Sequence, residues 1–195
     1  MATQSLGKMR RRYATQWEAA TNRPYLYAGP GRGANIATWT QAARAEHVAS
    51  LPVRFGYGMT LFDLVKAFDH VPWHLLVQEA IRLGYNLWVI RLSIAAYQAP
   101  RMIRINGVLS RPIIPRRSLA AGSGLATTEM RVALINLVDR ALNAAPQANP
   151  VLYVDDLSVE VAGTDNFVVS KLCLFSTTFC RGIHAKHMQI SNTKT

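Results

Sequence analysis

Acidic residues are scarce in this chain. Eleven Asp and Glu stand against 22 Lys and Arg in 195 residues, giving a formal net charge of +11 and a sequence pI near 10.3. A balance this basic favours a polyanionic partner, with nucleic acid ahead of an anionic membrane surface. Cysteine is scarcer still. Cys173 and Cys180 fall near one face of a helix, which excludes a disulfide framework and reads as two buried free thiols in a reducing compartment. With His184 and His187, Cys180 makes no familiar zinc pattern, because a fourth ligand is missing. Long apolar runs are absent too. The best one, Leu87 to Ala96, is interrupted by Arg91 and cannot span a bilayer, so no membrane partner is expected. Lys8 and Arg10-Arg11-Arg12 have no apolar core behind them and do not form a secretory signal, so an intracellular protein is expected. The chain has no internal repeat, no low-complexity linker, and no Ser/His/Asp or Cys/His constellation.

What remains is the composition of a globular protein: 50% hydrophobic and 17% charged, long enough for one domain or a compact pair of subdomains. Residues 1–23 form a basic N-terminal segment, read as a frayed helix or the remnant of a larger domain. Pro24 to Gly33 reads as a loop from its Gly and Pro content, and Ala34 to about Ala49 as a half-buried helix. Met59 to Leu64 reads as a buried strand. Pro72 opens a helix through Leu83 with Gly84 as its C-cap, and Leu87 to Tyr97 forms another. Asn106-Gly107 turns a hairpin between 101–105 and 108–114. A long helix spans about Thr127 to Ala144, a hairpin 151–162, and a helix capped by Thr164 runs to about Phe179. Met188 to Ile190 reads as a short strand. This order suits an α+β fold: an antiparallel sheet with helices packed on one face.

The chemistry sits in carboxylates. Tyr153-Val154-Asp155-Asp156 lies between Val151-Leu152 and Leu157, Val159 and Val161, which reads as a hairpin with two adjacent carboxylates at its tight turn. Two anions side by side are unfavourable unless a cation joins them. Asp63, at the end of another strand, supplies a third. If both segments share one sheet, the three converge and can hold two Mg²⁺ ions about 3.5–4 Å apart, as in-line phosphoryl transfer requires. Between them, Arg101, Arg104, Arg111, Arg116 and Arg117 read as a track for nucleic-acid phosphates.

Phe62-Asp63-Leu64-Val65-Lys66-Ala67-Phe68-Asp69-His70-Val71 resembles motif A of reverse transcriptases of the non-long-terminal-repeat retrotransposon and group II intron type. Ser118 to Thr128, around Ala121-Gly122-Ser123, is similar to motif B, Tyr153-Val154-Asp155-Asp156 to motif C, and Gln189 to Thr195 to motif D. Pro30-Gly31-Arg32-Gly33 and the following helix resemble the fingers segment before motif A. Order and spacing agree over about residues 24–195. The resemblance implies a right-hand polymerase palm with part of the fingers and no thumb. It implies RNA-directed DNA synthesis with Mg²⁺, or Mn²⁺, from an RNA template, a DNA primer and deoxynucleoside triphosphates, with missing domains supplied in cis or trans. It places metal ligation on Asp63, Asp155 and Asp156, general-acid work on Lys194, a sugar gate at Phe68 and a close backbone approach at Gly122. Arg32 joins the arginines as a nucleic-acid contact, and a nuclear or ribonucleoprotein location follows. The chain departs from the family at Ala121, where Gln is usual. Two alternatives stand beside this reading. One is a catalytically inactive RNA-binding remnant, and the other is an RNA-dependent RNA polymerase, against which Phe68 and Val154 argue.

Overall fold

The structure, a computed structural model, describes residues 2–29, 31–52, 55–120 and 122–191, with side chains described from Arg10 onward. In chain order the elements are α1 (Ala2–Ala20), α2 (Ala34–Ala49), β1 (Gly56–Phe62), α3 (Ala67–His70), α4 (Trp73–Arg82), α5 (Leu87–Tyr97), β2 (Arg104–Ile105), β3 (Val108–Leu109), α6 (Ala126–Ala144), β4 (Asn149–Tyr153), β5 (Asp156–Gly163) and α7 (Asp165–Ala185). The fold is α+β, as expected. The chain divides into two compact units, residues 1–21 with 68–133, and residues 22–67 with 134–195.

The unit built from 22–67 and 134–195 carries an antiparallel sheet of order β1-β5-β4. Central β5 is buried from Leu157 to Val161 and obeys the period-2 rule on both faces. Leu157, Val159 and Val161 share the face of Phe62, whose ring lies 5.1 Å from that of Phe179 in α7. Ser158 and Glu160 face α2, where Gln41 donates to Ser158 Oγ at 2.6 Å and Arg44 pairs with Glu160 at 3.1 Å. Helices on one face were expected. Both faces are covered instead, because alternating polar residues in β5 meet polar partners from α2. Helix α7 runs past the expected end near Phe179, since Phe179 and Ile183 continue its buried stripe. Cys173 is exposed on α7 and Cys180 half-buried, which corrects the expectation of two buried thiols; both are free.

Two segments read as loop or short strand extend this sheet. Tyr27 N–H donates to the Leu152 carbonyl at 2.9 Å, and Leu152 N–H to the Tyr25 carbonyl at 2.8 Å, so Tyr25 to Tyr27 borders β4. On the far edge, Val65 N–H donates to Gln189 and Ser191 N–H to Asp63, with Leu64 bridging Ile190.

In the unit built from 1–21 and 68–133, α1 is an anchored helix. Trp17 Nε1 donates to the Leu83 carbonyl at 2.9 Å, and its ring meets Tyr85 edge-on at 5.0 Å. Pro72 caps α4, and Gly84 follows it at φ +64°. The Asn86 side chain caps α5 by accepting from Trp88 N–H. Asn106 and Gly107, at φ +48° and +85°, make the two-residue turn between β2 and β3. The Leu119 N–H donates to the Phe68 carbonyl, and Trp73 Nε1 to the Ser118 carbonyl, each at 2.6 Å. Phe68 and Trp73 are thereby tied to Ser118-Leu119 within this unit. Among the described residues, no helix is long and apolar enough to cross a membrane.

Candidate active site

Strands β4 and β5 are joined by only two residues, Val154 and Asp155, with Tyr153 paired directly to Asp156. Both carboxylates were expected at the turn. Only Asp155 is there; Asp156 is the first residue of β5 and is exposed. Val154 has φ +60°, a left-handed conformation that a β-branched residue adopts only under strain. Strain of this kind persists where surrounding structure over-determines the backbone, here the β4–β5 ladder.

Asp63 stands one residue beyond β1. The register Phe62↔Leu157, carried one step further, sets it across from Asp156. Its carbonyl accepts from Ser191 N–H at 2.8 Å, which pins the strand end. The Asp155 carboxyl is raised above its ordinary value by burial first, then by the negative charges of Asp156 and Asp63. Carboxylates from two distant segments thus act on one another at one end of one sheet. Among the described residues, no three His, Cys, Asp or Glu side chains gather closely enough to hold an ion. Asp155 stands on the turn, off the ladder that aligns Asp63 with Asp156. In donor chemistry the residues fit a hard divalent cation, since all three offer anionic oxygen and none offers nitrogen or sulfur.

Asp63 and Asp156 open onto a cleft of about 400 Å³ between α2 and the sheet. Ala34 and Gln41 line its helical side, and Leu61 and Tyr153 its sheet side. Deeper on this face, Glu160 is almost wholly buried against Arg44, and the Tyr57 hydroxyl is pushed up to about 12 by burial and by Glu160. Residue types alone did not reveal this polar wall. Its one sequence signal was Ser158 and Glu160 alternating with valines.

Other expected site residues fall in different places. Lys194 and Ala121 lie outside the described residues. Gly122 is exposed at φ +84°, with nothing within 4 Å of the position a Cβ would take. Its glycine is explained by backbone conformation rather than by crowding. Phe68 is half-buried. Arg101, Arg104, Arg111, Arg116 and Arg117 are all exposed, on and beside the β2–β3 hairpin. Arg32 has a structural role: its Nη1 donates to the carbonyls of Arg23, Pro24 and Leu26 at 2.9–3.0 Å, and its guanidinium lies over the Tyr27 ring.

No family model matches the chain, and no curated protein matches it in sequence. Among solved structures it is similar to apo telomerase from Candida tropicalis truncated from its C-terminal domain, with a TM-score of 0.58 at 11% identity. The match covers 96% of this chain and 41% of the telomerase chain, so this chain spans less than half the length of that protein. The likeness is one of fold.

Proposed function

We propose that this chain is the palm and part of the fingers of a reverse transcriptase of the non-long-terminal-repeat retrotransposon or group II intron type. It adds deoxynucleotides to a primer 3′-hydroxyl on an RNA template. What supports the reading is the placement of Asp63, Asp155 and Asp156, from two distant segments, at one end of one sheet, in a fold similar to that of telomerase. Mg²⁺ or Mn²⁺ held by Asp63 and Asp155, with Asp156 beside them, would ready the 3′-hydroxyl for attack and neutralise charge on the leaving pyrophosphate. The chain's own residues do the rest. The strained Val154 turn holds Asp155 to one orientation, and Ser191 fixes the backbone at Asp63. The Phe68 ring excludes a ribose 2′-hydroxyl, Gly122 lets backbone approach the template or nucleotide, and Lys194 delivers a proton to pyrophosphate. The exposed arginines near the β2–β3 hairpin hold template and primer phosphates. A nuclear or ribonucleoprotein location follows from this role.

Primer extension on an RNA template tests the reading. It uses the chain alone and the chain with any segment its gene encodes beyond residue 195. Each deoxynucleotide and ribonucleotide is supplied in turn with Mg²⁺ or Mn²⁺, and Asp155→Asn serves as the blank. Deoxynucleotide incorporation that Asp155→Asn abolishes is expected, and Phe68→Ala should raise ribonucleotide use. Incorporation of ribonucleotides by the parent chain would favour an RNA polymerase. No incorporation with either metal, together with retained RNA binding, would leave the inactive RNA-binding reading, which Ala121 at the usual Gln position favours.

A further inference from the structure

The core of the unit built from 1–21 and 68–133 holds a polar cluster that the proposed chemistry does not use. Tyr97, in the last turn of α5, donates its hydroxyl to Glu129 Oε2 of α6 at 2.5 Å. The same hydroxyl lies 3.5 Å from Ser123 Oγ. Tyr97 is 2% exposed, and Glu129 and Ser93 are 0% exposed. Ser93, one turn before Tyr97, accepts from Arg10 Nη2 of α1 at 2.5 Å. Glu129 Oε1, Arg10 Nε and Tyr85 Oη are buried without a hydrogen-bond partner. Burial raises the Glu129 carboxyl, and Ser93, Tyr97 and Arg10 act in the opposite direction.

Such a cluster is a poor source of stability. A buried carboxylate with one oxygen unpaired costs free energy that an apolar residue of the same size would not. Its position suggests what it does instead. Ser123 sits between Gly122 and Gly124, both exposed and both with nothing within 4 Å of a Cβ position. The tip of this turn therefore has no side-chain packing of its own at the two glycines. The Ser123 hydroxyl accepts locally from Leu125 N–H and meets the Tyr97 hydroxyl of the core, each at 3.5 Å. The local backbone bonds, Ser123 N–H to Ala120 and Ala126 N–H to Ser123, shape the turn without tying it to the core.

We infer that Tyr97 and Glu129 are positioning residues for the Gly122-Ser123 turn, with Arg10 fixing Ser93 beside them so that α1 takes part in holding the turn. The value of this to function rests on the polymerase reading, in which that turn meets template or nucleotide; the mechanical claim does not. The cluster acts through the hydrogen bond that Tyr97 donates to Glu129 and through the contact of the Tyr97 hydroxyl oxygen with Ser123 Oγ at 3.5 Å. Any group that accepts from Tyr97 at position 129 can serve, while loss of the phenol oxygen cannot be made good.

Amide hydrogen exchange read by mass spectrometry on the full chain, without nucleic acid, tests this directly. Tyr97→Phe and, separately, Ser123→Ala should speed exchange at least about tenfold in peptides covering 122–125, with peptides of α4 and β5 unchanged. Glu129→Gln keeps an acceptor for Tyr97 and should exchange at 122–125 like the parent. Parent-like exchange at 122–125 in both Tyr97→Phe and Ser123→Ala overturns the proposal. So does faster exchange spread evenly over the whole chain, which would mark a purely structural role. These readouts need no catalysis. An inactive Asp155 site would leave them standing, and their failure would leave the Asp155 reading untouched.

Discussion

Tyr153 and Asp156 face one another across a turn of only two residues, and inside that turn Val154 holds φ at +60°. Asp155 is therefore held in place by backbone geometry. Val154→Gly should relieve a left-handed strain of about 1–2 kcal/mol and give back about 0.5–1 kcal/mol through the flexibility glycine adds to the unfolded chain. The expected net is a gain of about 0.5–1 kcal/mol in urea unfolding, with nucleotide transfer weakened as Asp155 loses its fixed aim. Val154→Ile should give no gain. A loss of stability in Val154→Gly would show that the turn is not strained.

Asp155 makes the protein's stability depend on pH. Its carboxyl is raised by burial and by Asp156 and Asp63, so the folded chain keeps that proton to higher pH than the unfolded chain does. Stability from this group is present below the usual carboxylate range and falls as pH rises through the raised value. Asp155→Asn should therefore match the metal-free parent at about pH 4 and melt higher than it at about pH 7. Mg²⁺ should raise the melting temperature of the parent more than that of the variant. Thermal scans in both metal conditions decide it, and a variant less stable than the metal-free parent at neutral pH contradicts the coupling.

The exposed hairpin arginines predict how binding responds to salt. Arg104→Gln and Arg111→Gln should each flatten the slope of log affinity against log salt by about 0.9 on duplex DNA or about 0.7 on single strands. Fluorescence anisotropy over a salt series measures this. Unchanged slopes in both variants would remove the hairpin from the phosphate track.

Gly58 marks where β1 meets α7. A Cβ there would lie 2.7 Å from Val168 Cγ1 and 2.8 Å from Leu172 Cδ1. Gly58→Val should destabilise by about 1–3 kcal/mol in urea unfolding, through overpacking. Gly31→Val meets no atom within 4 Å and should strain only its own backbone at φ +71°. A smaller loss at Gly58 than at Gly31 would mean that α7 yields easily.

Much of the fold was legible in the sequence wherever one local rule was sufficient. Ala34–Ala49 and Leu87–Tyr97 are helices with the bounds that their composition and flanking residues suggested, and Asn106-Gly107 turns its hairpin. The carboxylates were legible as a set. Which of them occupies the turn was not, because that depends on the pairing of Tyr153 with Asp156 across two strands. Tyr25 to Tyr27 read as loop from neighbouring Gly and Pro, whereas its backbone bonds go to Leu152, far away in sequence. Arg32 shows the same limit. The three carbonyls that its guanidinium meets converge on it only once the loop has folded. Such long-range partners leave no periodic trace.

The bridge between Leu64 and Ile190 has a consequence for the order of events in folding. The strand end that carries Asp63 is closed by residues separated from it by most of the chain, and its inner neighbour β5 also comes from the later part. Closing so long a loop carries an entropic cost before any contact repays it. β1 precedes β5 and Ile190 in the chain, so it is made before the partners that pair with it, and Leu61 and Met59 remain exposed even after folding. The segment that bears Asp63 therefore gains its neighbours only when the later half of the chain is in place, and a copy cut short before Ile190 would leave that strand end unclosed.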